Sequence, residues 1–355
     1  MRVVVSTTAR LHLGQLDLNG SLGRLYGGIG VAIEKPLLEV EAESSPDLVA
    51  SGEQAGKAEL LARRFLAFYG LGGGARLRVL GALPEHVGLG SGTQLALSIA
   101  TALARLHGVD APPSELAAAV NRGESRSGIG LGAFEGGGFI LDGGLQCEAG
   151  RRAGIPPEAP VRAGASGSPP VPVPPILFRH PFPEDWSFVV AIPQLPGGLS
   201  GQKESNAFSG LPPMPDEVSG RVCRLVIMQL LPALLEKDIR SFGRALTEIQ
   251  VSVGTHFAPA QGGVFSSPLS EELVDLFLNH GACGAGQSSW GPAVYGLAPD
   301  VSTANRLAST VRAFLNGRCE AQVLVTRARN CGAMVRVNPQ EGEKSFRDHQ
   351  VTAAI

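Results

Sequence analysis

The sequence predicts an α+β protein with two domains, and three observations support this fold class. The chain has 355 residues, which is long enough for two domains of ordinary size. Strand-like and helix-like patterns alternate in both halves. Between them, residues 150–176 consist mainly of proline, glycine and small residues, as in a linker or a surface excursion. We therefore expect an N-terminal domain over 1–165, a C-terminal domain over 166–340 and a loose tail over 341–355.

The elements of the first half follow from local patterns. Strands are predicted for VVVSTTARL and ARLRVLGALP, and GIGVAIEKPLLEVEAE predicts one or two strands with a break at Pro36. Helices are predicted for KAELLARRFLAFYG, which ends at Gly70, and for TQLALSIATALARLHG, which ends at Gly108. A third helix, SELAAAVNRGE, has Ser114 as its expected N-cap, and GGFILDGGLQCEAG predicts a strand pair.

The second half continues the alternation. The strand WSFVVAIP is followed by the helical stretch EVSGRVCRLVIMQLLPALLEK, which we expect to be kinked or split at Pro232. SFGRALTEIQ continues the helical pattern, and His256 is expected just after that helix. The remaining pattern predicts a helix in SEELVDLFLNHG, a strand in VYGLAP, a helix in TANRLASTVRAFLNG and a strand in CEAQVLVTRA.

Composition narrows the possible functions. The net charge of −2 provides no global basic field for nucleic acid, and the aromatic content of 5% argues against a base-stacking surface. Five scattered cysteines without a CxxC pair fit a reducing compartment. No apolar window approaches the length of a membrane span. We therefore expect a soluble cytoplasmic protein with no nucleic-acid or membrane partner.

A glycine-rich loop runs into a helix in PEHVGLGSGTQLALSIATALARL, residues 84–106. Glycine reaches positive φ and allows close approach of a ligand, and the start of the helix offers unpaired N–H groups. The combination favours an anion site, although a tight turn with an N-cap explains the pattern equally well. The loop does not end in GK[ST], so it is not a Walker A motif. Its candidate binding residues are Gly88, Gly90, Ser91, Gly92 and Thr93.

The same stretch resembles the phosphate-binding motif of the GHMP kinase superfamily, and GACGAGQSSWGPAVYGL (281–297) resembles its second glycine-rich loop. The resemblance implies a GHMP-kinase-like fold, with an N-terminal ribosomal-protein-like α/β domain and a C-terminal ferredoxin-like α+β domain. In these kinases a Ser-Gly-x-Asp segment supplies the catalytic aspartate, but here Gly130 stands at that position. The lysine usual near the kinase N-terminus is also missing. Since glycine cannot assist a proton transfer, the chemistry disfavours a kinase.

Further stretches resemble one branch of the superfamily, the β-ribofuranosylaminobenzene 5′-phosphate synthases. They are ARLHLGQLDLNG, GRLYGGIGVAIEKP, RSGIGLGAFEGGGFILDGG, FPEDWSFVVAIP, GLSGQKESNAF and GQSSWGPAVYGL. This resemblance implies condensation of phosphoribosyl pyrophosphate with 4-hydroxybenzoate or 4-aminobenzoate, with release of CO₂ and pyrophosphate, in tetrahydromethanopterin biosynthesis. It further implies Mg²⁺ as the metal, because a polyanionic leaving group needs cations. It also implies a homodimer.

Candidate roles attach to residues near the resembling motifs, and each has a structural alternative. The catalytic candidates are Arg10, His12, Asp17, Glu135, Lys203 and His256. Beyond the loop, the candidates for binding phosphate or substrate are Arg24, Gly27, Gly28, Arg126, Ser127, Gln287, Ser288, Ser289 and Trp290. Arg24 could clamp an anion through two parallel hydrogen bonds, and Trp290 could pack on the aromatic acid. Glu124 is the metal candidate, with a salt bridge to Arg122 or Arg126 as the equal alternative. A strand-end cluster, solvated loops and a core tryptophan are the structural explanations for the rest.

Two other functions stay open at this stage. A small-molecule kinase of the same superfamily could take its base from another position, and ATP dependence would reveal it. A non-catalytic relative could bind phosphoribosyl pyrophosphate as a sensor without turnover.

Overall fold

The computed structural model describes residues 1–121, 128–147, 173–195 and 210–338. These residues form one eight-stranded sheet and one four-stranded sheet, with helices packed against both. Within the described chain, strand pairing is antiparallel except between the strands Val49–Gly52 and Gly74–Gly81, which are parallel. The strands of the larger sheet are β1 (Arg2–Asp17), β2 (Arg24–Ser45), β3 (Val49–Gly52), β4 (Gly74–Gly81), β5 (Phe139–Asp142), β6 (Leu145–Gln146), β7 (Ile176–His180) and β12 (Met334–Asn338).

The larger sheet has the order β12-β1-β2-β4-β3, with β5 and β6 paired to β2 and β7 paired to β5. β2 continues through Pro36 as one strand, so the predicted break at this residue does not divide the strand. The ladder to β1 is nevertheless interrupted there, because Thr8 pairs with Leu37 whereas Arg10 pairs with Ala32. Pro36 lies in this irregular segment, where its missing N–H removes no ladder bond to β1.

The smaller sheet has the order β11-β8-β10-β9. Its strands are β8 (Ser187–Pro193), β9 (Gly284–Gln287), β10 (Val294–Ala298) and β11 (Ala321–Arg327). One apolar core extends from the larger sheet into the smaller one, and the rings of Phe139 and Phe242 meet within it at 6.1 Å. A second cluster fills the space between the smaller sheet and its two covering helices.

The helices of the first half are α1 (Ala55–Tyr69), α2 (Ser91–His107), α3 (Pro113–Asn121) and α4 (Ile129–Glu135). Gly70 and Gly108 end α1 and α2 in the left-handed conformation, as the sequence predicts. The expectation for Ser114 is wrong, because α3 begins at Pro113 and Ser114 lies inside its first turn. Proline fits that place because the first helical N–H groups lack intrahelical acceptors in any case.

The helices of the second half are α5 (Asp216–Leu235), α6 (Ile239–Gln261), α7 (Pro268–Asn279) and α8 (Val301–Leu315). Helix α5 is α-helical over Asp216–Leu225, π-helical over Val226–Leu230 and α-helical again over Leu231–Leu235. The irregularity expected at Pro232 therefore occurs as a π segment directly before it, since proline supplies no N–H to a regular helix.

Helix α5 is also long and apolar enough to cross a membrane, with 20 residues and a mean hydropathy of 1.5. This corrects the expectation that no window approaches a membrane span. The buried share of the window is 39%, and core helices of water-soluble proteins have the same length and hydropathy. The feature alone therefore does not place the chain in a membrane.

Candidate active site

The glycine-rich loop meets the start of α2 with its helix N–H groups open. Gly90 is the N-cap at φ +80°, and no side chain of the described residues caps the helix. The first turn of α2 carries no acidic residue, so the positive end of the helix dipole is not neutralised there. Ser91, Gly92 and Thr93 are half-buried. This geometry can accept an anion such as a phosphate group.

A lysine that the sequence analysis missed lies beside this helix start. The Lys57 ammonium is 3.9 Å from the position that a Cβ on Gly92 would take, and it forms an ion pair with Glu85 at 2.7 Å. Lys57 belongs to the first turn of α1, far from the loop in sequence. No local pattern links the two elements, so only the packing of α1 beside α2 reveals the pair.

Arg10 of β1 attaches the loop to the larger sheet. Its guanidinium donates a hydrogen bond to the Gly88 carbonyl, and its backbone N–H donates to the Leu89 carbonyl at 3.2 Å. The side chain also runs 3.3 Å from the position of a Cβ on Gly90. Any larger residue at Gly90 would press on Arg10 while holding a positive φ, so glycine is needed there.

The second glycine-rich loop docks on the first through Ser288. The buried Ser288 hydroxyl accepts a hydrogen bond from the backbone N–H of His12 at 3.0 Å and donates one to the Gly88 carbonyl at 2.7 Å. A Cβ on Gly88 would overlap the backbone oxygen of Ser288. Three distant parts of the chain therefore meet at this hydroxyl. Its hydrogen bonds join the two glycine-rich loops to β1. The neighbouring Ser289 side chain is exposed instead.

A small cavity of about 50 Å³, partly open to solvent, lies between β1 and α6 next to this junction. It brings together four of the predicted site residues, His12, Gln287, Ser289 and Trp290. The remaining lining residues are Gly14, Gln15, Gln250, Val253, Gly254, Phe257, Gln261, Val264 and Phe265. The ring centroids of Trp290 and Phe257 lie 4.5 Å apart with their planes tilted by 50°, so two aromatic side chains line this part of the cavity.

Two glutamines fix the wall of the cavity. The Gln250 amide donates to the Leu13 carbonyl at 2.7 Å and accepts from the Gln287 N–H at 2.9 Å. The Gln287 side chain accepts from the Ser266 N–H at 2.7 Å and donates to the Ser289 carbonyl at 2.9 Å. Sequence analysis missed Gln250, whose setting in an amphipathic helix carries no motif. These bonds attach α6, β1 and the second loop to one another.

His12 is a neutral imidazole at neutral pH. Burial and, to a smaller extent, the nearby Arg10 charge together lower its pKa to about 3. The ring lies against Gly28, where a Cβ would be 3.1 Å from His12 Nε2. Gly27 turns the same segment at φ +63°. These two glycines therefore make room in β2 for the imidazole and the turn beside it.

The Arg24 guanidinium donates hydrogen bonds to two backbone carbonyls, that of Gly143 at 2.6 Å and that of Gly144 at 2.7 Å. Beside it, the buried carboxylate of Asp142 accepts hydrogen bonds from the N–H groups of Gly128 at 3.0 Å and Gly144 at 2.9 Å. Burial raises the pKa of Asp142 to about 6, against the effects of these N–H groups and Arg24. Asp142 is a buried acid that sequence analysis missed, and it holds the start of α4.

Of the described catalytic candidates, only His12 lines the cavity, and the carboxylates of Asp17 and Glu135 lie outside its lining. Asp17, at the end of β1, accepts hydrogen bonds from the Asn19 N–H at 2.6 Å and the Ser219 hydroxyl at 3.3 Å. Glu135, the last residue of α4, pairs with Arg179 at 3.4 Å, and burial raises its pKa. Both carboxylates have internal partners where they stand.

His256 lies inside α6, which corrects the expectation that it follows the helix. Partial burial lowers its pKa, and its ring lies 5.6 Å from the ring of the cavity residue Phe257. The helix extends because the pattern continues past Gly254, which packs closely on the backbone of Val264. Four further predicted site residues lie outside the described part of the chain: Glu124, Arg126, Ser127 and Lys203.

Gly130 stands where the kinases carry their aspartate, and the space beside it is filled. A Cβ on Gly130 would lie 3.0 Å from the Thr93 methyl group. The Gly130 carbonyl accepts from the buried Gln94 amide at 2.8 Å, and that amide accepts from the Thr7 hydroxyl at 2.7 Å. A carboxylate therefore has no room here unless Thr93 moves.

Comparisons with known proteins identify the class that this fold and site define. The family described as GHMP kinases N terminal domain matches residues 56–137, and the family described as GHMP kinases C terminal matches residues 230–317. The homoserine kinase of Cytophaga hutchinsonii superposes with a TM-score of 0.65 at 17% identity, covering 94% of this chain and 97% of that one. The protein therefore has the GHMP kinase fold, which confirms the predicted α+β class.

Two curated relatives narrow the class further. The β-ribofuranosylphenol 5′-phosphate synthase of Methanothermobacter thermautotrophicus is 37% identical over 94% of this chain and 99% of its own length. The protein of the same name from Archaeoglobus fulgidus is 35% identical over 93% of this chain and 98% of its own. The chain belongs to the β-ribofuranosylphenol 5′-phosphate synthase family.

Proposed function

We propose that this protein is a pentosyltransferase that condenses phosphoribosyl pyrophosphate with 4-hydroxybenzoate, releasing CO₂ and pyrophosphate. The observation that carries the proposal is an open anion site at the start of α2 joined through Ser288 to an aromatic-walled cavity. The relatives are named for a ribosylated phenol, which favours 4-hydroxybenzoate over 4-aminobenzoate as the acceptor. The product would feed tetrahydromethanopterin biosynthesis.

The anion site would hold the pyrophosphate group as it leaves. The C1–O bond of the ribose breaks and its electron pair stays on pyrophosphate, so negative charge grows where the helix N–H groups and Lys57 lie. The ring carbon that bears the carboxylate forms the new bond to ribose C1. Loss of CO₂ returns an electron pair to the ring and restores aromaticity. The reaction needs no change of oxidation state in the protein.

The cavity would favour the loss of CO₂ by its lack of charge. Its lining, taken over the described residues, contains no lysine, arginine, aspartate or glutamate, and His12 is neutral. A carboxylate enclosed there loses water without gaining a cation, whereas CO₂ carries no net charge. Burial in such a cavity therefore raises the free energy of the bound acid relative to its decarboxylated product.

We propose that Mg²⁺ binds together with the pyrophosphate group. Within the described residues, no group of three or more His, Cys, Asp or Glu side chains could hold a metal ion. Mg²⁺ on a phosphate substrate commonly needs only one or two protein carboxylates, and the exposed Glu85 beside Lys57 fits that requirement. The ion would supply positive charge to the pyrophosphate group.

We further propose that the protein is a cytoplasmic homodimer. Helix α5 exposes the apolar side chains of Ile227, Met228 and Leu235, which a second copy of the chain could cover. Light scattering after size-exclusion chromatography would measure the molar mass. A monomer at micromolar concentration would contradict the dimer.

The function is tested by CO₂ release. The purified protein is incubated with phosphoribosyl pyrophosphate, Mg²⁺ and carboxyl-labelled 4-hydroxybenzoate, without ATP. We expect labelled CO₂ that depends on both substrates, with slower release from 4-aminobenzoate. Binding of phosphoribosyl pyrophosphate without release from either acid would support the non-catalytic alternative, and ATP-dependent phosphorylation would support the kinase.

A further inference from the structure

A bulge in β1 turns Gln15 into the cavity. Gln15 and His12 both line it, although residues three apart on a regular strand face opposite sides of the sheet. The pairing of β1 with β2 shifts between His12 and Gly14, which places one extra residue on β1. Gly14 adopts φ +151°, and a Cβ there would lie 2.7 Å from the Ile249 side chain. The bulge therefore needs this glycine and reverses the side of the sheet that Gln15 faces.

The Gln15 side-chain oxygen is shielded from solvent and has no hydrogen-bond partner within the described structure. The other amides of the cavity differ in this respect. Gln250 and Gln287 bond at both ends, and the Gln261 amide donates to two backbone carbonyls at 3.1 and 2.8 Å. A shielded acceptor without a donor is unfavourable, and a ligand that donates a hydrogen bond to it would remove that penalty.

We infer that Gln15 recognises the para substituent of the aromatic acid, its amide oxygen accepting a hydrogen bond from the ring hydroxyl while the ring packs on Trp290. This inference rests on the proposed function. A hydroxyl or amino group can donate to the amide oxygen, whereas a carboxylate cannot, so the contact fixes which end of the acid faces β1. The hydrogen bond from the ring hydroxyl to the Gln15 oxygen also increases the electron density at the para carbon of the ring. That carbon carries the carboxylate and forms the bond to ribose.

Binding measurements without phosphoribosyl pyrophosphate test the inference. We would titrate the full chain with 4-hydroxybenzoate and with benzoate, which lacks the donor, by isothermal calorimetry. The wild type should prefer 4-hydroxybenzoate by about tenfold. Gln15→Leu should abolish this preference and leave benzoate affinity unchanged, whereas Gln15→Glu keeps an acceptor and should retain the preference.

An unchanged preference for 4-hydroxybenzoate in Gln15→Leu would overturn the assignment of Gln15, whether both acids lose affinity equally or neither loses any. Gln54→Leu is the matched control, because the Gln54 amide bonds to the Leu83 carbonyl outside the cavity. Unchanged binding of phosphoribosyl pyrophosphate would show that each variant is folded.

The CO₂ assay separates this inference from the proposed function. Release of CO₂ with an unchanged KM for 4-hydroxybenzoate in Gln15→Leu would reject the inference and leave the function standing. A preference for 4-hydroxybenzoate that depends on Gln15, without any CO₂ release, would reject the function and leave the binding site standing. Failure of both acids to bind, together with absence of CO₂, would reject both.

Discussion

Replacing Ser288 with alanine would remove the hydroxyl that joins both glycine-rich loops to β1. The side chain is fully buried, so water cannot take its place without a rearrangement. The variant leaves the His12 N–H without its acceptor at 3.0 Å and removes the donor that lies 2.7 Å from the Gly88 carbonyl. The carbonyl keeps a second donor in Arg10, so its loss is the smaller of the two.

The size of the effect follows from these contacts. An orphaned buried N–H costs about 1–3 kcal/mol, and one of two bonds to a carbonyl contributes about 1 kcal/mol. We therefore expect Ser288→Ala to lower the free energy of unfolding by about 2–4 kcal/mol in urea titrations. The loop that carries Gly88 would also be less firmly positioned, so the KM for phosphoribosyl pyrophosphate should rise in steady-state CO₂ release.

Ser289→Ala provides the matched control. Ser289 is the next residue of the same loop, but its side chain is exposed and its contact with Gln287 uses the backbone carbonyl. This variant should lie within about 0.5 kcal/mol of the wild type. Equal stability of the two alanine variants would refute the reasoning, because it would mean that the bonds of Ser288 do not hold the junction.

Three further predictions concern the anion site, the missing kinase base and the buried imidazole. Lys57→Met should raise the KM for phosphoribosyl pyrophosphate about tenfold and reduce its dependence on salt; an unchanged KM would remove Lys57 from the site. Gly130→Asp should lower stability by about 1–3 kcal/mol through overpacking against Thr93, without creating ATP-dependent phosphorylation. The His12 pKa is about 3 in the fold and 6.5 in the unfolded chain, so acidification protonates the unfolded state first. The free energy of unfolding of the wild type, measured by urea titration, should therefore fall by about 2 kcal/mol between pH 7 and pH 5 because of His12. In His12→Gln this contribution to the fall should be absent.

Most elements could be predicted from local pattern, and the errors occur where packing decides. The C-terminal glycines Gly70 and Gly108 end their helices as expected, because the left-handed conformation is a local property. The break expected at Pro36 occurs in the pairing of β1 with β2 and does not divide the strand, because an irregular segment of the ladder accommodates the ring. His256 was placed after a helix that in fact continues to Gln261, since helix ends depend on tertiary contacts.

The candidate site shows the same division. Sequence motifs located His12, Trp290 and the two loops, because glycine spacing reflects close backbone approach. Gln15 could not be found, since strand alternation places it on the opposite face from His12 and only the bulge reverses this. Lys57 was missed because it belongs to no motif near the loop. Only the packing of α1 brings its ammonium close to Gly92.

The position of β12 affects how the protein can be synthesised. One edge of β1 pairs with β2, and the other pairs with Met334–Asn338. During synthesis, β1 therefore leaves the ribosome long before its second neighbour and before Ser288, which contacts the glycine-rich loop through the Gly88 carbonyl. The early strand must wait with one edge unpaired, a state prone to aggregation. Separately expressed halves divided near residue 165 should accordingly be poorly soluble alone and recover the site only when mixed.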